Sequence, residues 1–180
     1  MNRKFNIRQK IVVTLILLLM LFASMGIAAP YTRAHYFINV SSSLPYGLYK
    51  INKPNNFKRD DLIIFNPPQA AANVIEKRHW LPKGWPLLKY IGAVEGDTYC
   101  TKCSLFAVSY SFYINGEYIG PVSEHDSQGL PLTHVKGCHV VKKNNFLPVS
   151  TYINNSFDGR YFGEIPLSSI QGIAEPILTF

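Results

Sequence analysis

Pro86-Leu87-Leu88-Lys89-Tyr90-Ile91-Gly92-Ala93-Val94 reads as a strand with a single charge inside it, and where that charge goes decides what kind of domain this is. Leu87 to Val94 is an apolar run of strand length, closed by a turn at Glu95-Gly96-Asp97. A lysine in such a run is expected to be partly buried; its alternative is to snorkel from the strand to solvent along its aliphatic stem. Burial disfavours the ammonium form. To act as a base near pH 7, Lys89 would have to titrate about 3 pH units below the ordinary ~10.4, a cost of about 4 kcal/mol that full desolvation can supply.

The segments on either side of this strand read the same way. Asp61 to Phe65 is a short apolar run ending at Pro67-Pro68, and Val108 to Tyr118 carries Asn115-Gly116, a type I′ hairpin signal. Val140-Val141, Phe146 to Val149 and Ile170 to Leu178 add further runs, with twelve Gly and twelve Pro as punctuation. The expectation is a mainly β domain of short, strongly bent strands. Gln69 to Trp80 is the exception, a short helical insertion terminated by Pro82 and Gly84. Its Val74, Ile75, Trp80 and Leu81, with Trp85, are expected to pack on the core; the alternative is a membrane interface.

The N-terminus is a different kind of sequence. Ile11 to Ala29 contains no charge, and at about 1.5 Å per residue it covers roughly 28 Å, close to the ~30 Å hydrocarbon core of a bilayer. Arg3, Lys4, Arg8 and Lys10 precede it, which keeps the N-terminus cytoplasmic and exports the rest. A removable secretory signal is the competing reading, since Gly26-Ile27-Ala28 is a small-x-small triplet ahead of Ala29-Pro30. The apolar core exceeds the roughly 7 to 15 residues of a signal peptide and favours a retained anchor. The expected organisation is a basic segment 1–10, a transmembrane anchor 11–29 and an exported domain 30–180, with membrane lipid as one partner.

At 47% hydrophobic and 16% charged, the 180 residues have globular composition. The net charge of +7 invites a nucleic-acid reading, but four of the positive charges precede the apolar span and only +3 is left on the exported part. The remaining Lys and Arg are scattered or sit beside acids, as in Lys58-Arg59-Asp60-Asp61, so nucleic acid is not an expected partner. Cys100, Cys103 and Cys138 would face an oxidising compartment, where a structural disulfide is the usual outcome. Spacing does not fix the partner of Cys138. Zinc is the alternative, but Cys100-x-x-Cys103 lacks a second ligand pair in a standard pattern.

Ser41-Ser42-Ser43-Leu44-Pro45-Tyr46-Gly47-Leu48-Tyr49 follows the apolar span by about a dozen residues. By itself it is a Ser-rich turn. A serine hydroxyl becomes a nucleophile only when a base takes its proton, and Lys89 or one of five histidines could do so; no Gly-x-Ser-x-Gly elbow is present. In Asn154-Asn155-Ser156-Phe157-Asp158-Gly159-Arg160-Tyr161-Phe162-Gly163, Ser156, Asp158 and Arg160 fall on one side if the chain is extended, where the last two can pair.

Together these segments resemble the membrane-anchored signal peptidases of the serine-lysine type, and among them the TraF-type pilin-maturation peptidases of bacterial conjugation. The order anchor, Ser-x-Pro box, lysine strand ending in Gly-Asp, and Ser-x-Asp-x-Arg box is the family's. The motifs that match are Ser43-Leu44-Pro45-Tyr46-Gly47-Leu48-Tyr49, Leu81-Pro82-Lys83-Gly84, Leu87-Leu88-Lys89, Lys136-Gly137-Cys138 and Ser156 to Gly163. The resemblance implies a signal-peptidase-like fold, Ser43 as nucleophile and Lys89 as general base. Ser41 would join the Ser43 N–H as an oxyanion hole, Ser156 would orient Lys89, and Asp158 and Arg160 would brace the site. Cys100 and Cys138 would form the family's cysteine pair, leaving Cys103 as the odd thiol. The resemblance implies no cofactor and no metal.

It further implies a single-pass protein of the bacterial inner membrane with a periplasmic catalytic domain. The substrate would be a peptide or pilin precursor, cleaved and in some members cyclised, and components of a conjugative transfer apparatus are candidate partners. Two departures stand out. Leu44 and Lys89-Tyr90 replace the Met and Lys-Arg of the general signal peptidases, and Ser150-Thr151-Tyr152 replaces the Gly-Asp-Asn that opens their last box. The alternatives are a general signal peptidase acting on exported preproteins and a non-catalytic, membrane-tethered subunit of a secretion apparatus.

Overall fold

The computed structural model describes residues 6–54, 56–104 and 109–180, and the chain divides into two units with the boundary between Tyr36 and Phe37. Arg3 and Lys4 of the expected basic segment, and Val108 of the expected hairpin, lie outside the described residues.

The first unit is helix α1 (Ile7–His35). Its start is set by a capping box: the Asn6 carbonyl oxygen of the side chain accepts from Arg8 N–H, and the Asn6 N–H donates to Gln9 Oε1 at 3.0 Å. Ile7–Gly26 has a mean hydropathy of 2.0 and is long and apolar enough to cross a membrane. Ile11, Leu15, Leu19 and Phe22 are all more than half exposed.

The second unit is mainly β. Its elements are β1 (Tyr36–Asn39), β2 (Gly47–Asn52), β3 (Leu62–Phe65), α2 (Gln69–Lys77), β4 (Leu87–Val94), β5 (Thr98–Ser104), β6 (Ser109–Ile114), β7 (Glu117–Val122), β8 (Gly137–Val140), β9 (Asn145–Val149), α3 (Gly159–Phe162), β10 (Ile165–Pro166) and β11 (Ile170–Thr179). Seven strands form one sheet in the order β1-β2-β11-β3-β4-β9-β10, and four form a second in the order β7-β6-β5-β8. The chain passes from one sheet to the other at the Glu95-Gly96-Asp97 turn between β4 and β5, where Asp97 accepts from Val94 N–H.

Strand β4 lies between β3 and β9, antiparallel to both, with Ile63 opposite Lys89 and Val149 opposite Tyr90. The pairing with β9 shifts between Ile91 and Ala93, a bulge that bends the strand, as expected of the Gly92 between them. Ile63, Ile64, Phe65, Ile91 and Phe146 have no exposed surface. Each such side chain contributes about 1.5–3 kcal/mol by leaving water, which anchors the strand carrying Lys89. Asn115 and Gly116, at φ 50° and 88°, make the tight turn joining β6 and β7 that their sequence predicts.

Helix α2 ends at Lys77 rather than at Trp80, because His79 adopts φ 54° and the Trp80 N–H closes back on the Ile75 carbonyl at 3.1 Å. Trp80 and Trp85 both pack on core clusters, Trp80 edge-on to Phe157 and Trp85 against Phe37. Strands β1, β2 and β5 arise where the sequence reading placed loop or made no assignment.

Candidate active site

Asn39 closes β1 and shapes the turn that follows. Its side-chain amide donates to the carbonyls of Ser41, Leu44 and Pro45, each at 3.0 Å, and its oxygen accepts from Ser41 N–H at 3.1 Å. One buried amide thereby holds four backbone groups of a five-residue turn. Tyr49 adds a bond from its hydroxyl to Pro45 O at 2.7 Å. Ser43 sits in this turn, 7% exposed, with its Oγ 2.8 Å from Ser41 Oγ.

Lys89 enters from β4. It is 2% exposed and its Nζ donates to Ser156 Oγ at 2.9 Å. Burial lowers its pKa from 10.5 to about 8; Asp158 pulls the other way and Arg160 adds to the lowering. Holding the ammonium form there costs about 3 kcal/mol relative to water.

Ser156 is fixed in turn by the segment after it. Asp158 caps α3, accepting from Arg160 N–H at 3.1 Å, and pairs with the Arg160 guanidinium through two bonds of 2.9 and 3.0 Å. The same guanidinium donates to the carbonyls of Pro121, Asn154, Ser150 and Ser156. The pairing forms on a helical turn, not on the extended chain from which the sequence argument derived it. It is also fully buried rather than a surface pair, Asp158 and Arg160 being 0% and 1% exposed. Despite that burial, Asp158 keeps the guanidinium pKa above its usual value. Gly159 is required by close approach: a Cβ there would meet Pro148 O at 2.6 Å.

Ser41, Ser43, Lys89 and Ser156 line one cavity of about 570 Å³. Its apolar wall is built by Ile75, Trp80, Leu81, Leu87, Leu132 and Phe157, and His125, Asp126 and Ser127 add a polar rim. Asp126 is tied to α2's end by Arg78 at 2.5 Å, and Arg78 also donates to Pro131 O and lies over the Trp80 ring. Among the described residues no hydrogen bond joins Ser43 to Lys89; each hydroxyl-bearing or amine group has another partner, Ser41 and Ser156 respectively. This arrangement brings the Ser43 hydroxyl, the Lys89 amine and the hydroxyls of Ser41 and Ser156 onto one concave surface.

A family model described as "Signal peptidase, peptidase S26" matches residues 7–179. The chain belongs to the peptidase S26 signal peptidase family. Relatives within reach of it include the conjugal transfer protein TraF of Agrobacterium fabrum, 30% identical over 81% of this chain and 83% of that one. A probable conjugal transfer protein TraF of Sinorhizobium fredii is 30% identical over 89% and 86%. A plasmid transfer protein TraF of Escherichia coli is 26% identical over 79% and 82%. A signal peptidase I from Enterococcus faecalis is similar over 68% of this chain and 97% of its own, at 20% identity and a TM-score of 0.38.

Outside the cavity, Cys100 on β5 and Cys138 on β8 stand directly opposite each other and form a disulfide, so the cysteine pair implied by the resemblance is present in this peptidase S26 member. Cys103, exposed on β5, stays outside it. Sequence reasoning passed over Asn39, Ser150 and the Arg78–Asp126 pair. An Asn just before a Ser-rich turn is a recognisable capping signal; the other two depend on contacts across 48 or more residues and leave no local trace.

Proposed function

We propose that this chain is a membrane-anchored serine endopeptidase that matures a conjugative pilin precursor at the outer face of the bacterial inner membrane. The observation that carries the reading is a buried lysine of pKa about 8 lining the same cavity as a serine set in a rigid turn. Membership of the signal peptidase family supports peptide-bond chemistry, and the transfer proteins among the relatives favour a conjugation substrate. The basic residues ahead of the apolar span favour a cytoplasmic N-terminus and, with it, export of residues 30–180.

In this mechanism Ser43 turns its hydroxyl from Ser41 toward neutral Lys89, which takes the proton as Ser43 Oγ attacks the substrate carbonyl. The freed Ser41 hydroxyl and the Ser43 N–H stabilise the oxyanion, one such donor typically being worth roughly 3 kcal/mol. Protonated Lys89 then gives its proton to the leaving amine, and an ester remains on Ser43. Ser156 holds Lys89 in register throughout, and Asp158 and Arg160 hold Ser156. Water resolves the ester to a linear product, or the substrate's own N-terminal amine resolves it to a cyclic one.

Co-expression with a small pilin precursor encoded beside transfer-channel genes, followed by intact-mass analysis, tests this. Maturation that depends on Ser43 supports the reading, a product lighter by one water than the linear form identifies cyclisation, and an untouched precursor beside folded, membrane-inserted enzyme rejects it.

A further inference from the structure

We infer that Ser150 is a positioning residue that locks the Ser43 turn to the buried Asp158–Arg160 pair. This rests on reading Ser43 as the nucleophile, and it adds a residue with no part in the scheme above.

Ser150 follows β9, is 1% exposed and uses each of its polar groups. Its N–H donates to Asp158 Oδ2 at 3.0 Å, and its carbonyl accepts from Arg160 Nη2 at 3.3 Å. Its hydroxyl accepts from Tyr152 N–H at 3.4 Å and donates to the backbone carbonyl of Ser43. The donation from Tyr152 directs the Ser150 proton toward Ser43, so the hydroxyl has one orientation rather than several.

Two separate parts of the chain meet at this bond. The Ser43 turn is held from its own side by Asn39, which grips Ser41, Leu44 and Pro45 but not the Ser43 carbonyl. Ser150 supplies the hold at that carbonyl, from a segment 107 residues away. The Asp158–Arg160 pair fixes Ser156, hence Lys89, and also fixes Ser150, hence Ser43. One buried ion pair therefore sets both the base and the nucleophile, and the distance between them is defined by a common support. Loss of the hydroxyl leaves the Ser43 carbonyl buried without this donor and lets the turn move independently of Lys89.

The test uses the full chain in detergent, wild type and Ser150→Ala, with backbone hydrogen exchange read by mass spectrometry and processing kinetics read on a purified pilin precursor. In Ser150→Ala, exchange in residues 41–49 is expected to quicken roughly tenfold or more while β4 keeps its wild-type rate. Processing kcat is expected to fall about 10- to 100-fold with KM and the alkaline inflection unchanged, because Lys89 and the cavity wall are untouched. Unchanged exchange in 41–49 overturns the inference whatever the substrate, and so does an unchanged kcat. Faster exchange with no processing by wild type upholds the inference and rejects the pilin reading. If Ser150→Ala does not fold, Ser150→Thr carries the test: with its hydroxyl kept, exchange in the turn should stay within about twofold of wild type, and tenfold faster exchange overturns the proposal.

Discussion

Lys89 Nζ donates to Ser156 Oγ at 2.9 Å, and neither side chain is more than 2% exposed. A cation in that position has traded water for a single hydroxyl, with a buried carboxylate and a buried guanidinium nearby whose effects oppose each other. Its proton is consequently held weakly, and the chemistry proposed for the site follows from that.

The pH dependence comes first. In the proposed mechanism the acting form of Lys89 is the neutral amine, about a tenth of the population at pH 7 and about half at pH 8, given a pKa of about 8. Processing measured as kcat/KM should rise with pH through an inflection near 8 and level off above it. A profile flat between pH 6 and 9 would exclude Lys89 as the base.

Removing the charge should stabilise the fold while ending activity. The Lys89 pKa is lower folded than unfolded, so its cost to stability is fully present below pH 8 and fades as pH rises toward 10.5. Lys89→Met is expected to raise the stability of the domain by about 1–3 kcal/mol at pH 7, after the lost partner of Ser156 is counted, and to show no such gain near pH 11, where only that lost partner is left. Thermal melts at the two pH values check this, and processing by the variant should be undetectable.

The ion pair is the opposite case. Arg160→Met leaves Asp158 buried without its partner, and withdraws donors from four backbone carbonyls. Breaking a buried pair by deleting one partner typically costs 3–5 kcal/mol, so the variant should unfold at distinctly lower denaturant concentration and process little at any pH.

The disulfide supports stability at a distance from the chemistry. Cys100–Cys138 closes a loop with a sequence separation of 38, worth about 4 kcal/mol on the chain-entropy estimate. The double variant Cys100→Ala with Cys138→Ala should melt lower than wild type, yet while folded at low temperature it should process at near wild-type kcat. A large loss of kcat at 10 °C would instead connect the four-stranded sheet to the site.

Much of this fold could be read from pattern, and the parts that could not have identifiable causes. Leu87–Val94 and Ile170–Thr179 are apolar runs bounded by turn residues, so periodicity and punctuation agree there. The Asn115-Gly116 hairpin follows from the backbone demands of its turn. Strand β2 was hidden because Gly47-Leu48-Tyr49 also belongs to the Ser-rich box, and β5 because Thr98-Tyr99-Cys100-Thr101-Lys102 alternates only weakly. In the site, Ser43, Lys89, Ser156, Asp158 and Arg160 were named from motif order and lie where one network can hold them. Ser150 was not among them, since a serine just past the end of a β-strand becomes meaningful only once the strand brings it under the Ser43 turn.

The central claim, that Ser43 and Lys89 act as nucleophile and base, is tested most directly by precursor processing in cells carrying wild type, Ser43→Ala or Lys89→Ala. Membrane insertion and the Cys100–Cys138 disulfide serve as checks on folding. The account predicts complete conversion by wild type and an unprocessed precursor with either variant; conversion at the wild-type rate by folded Ser43→Ala or Lys89→Ala would contradict it.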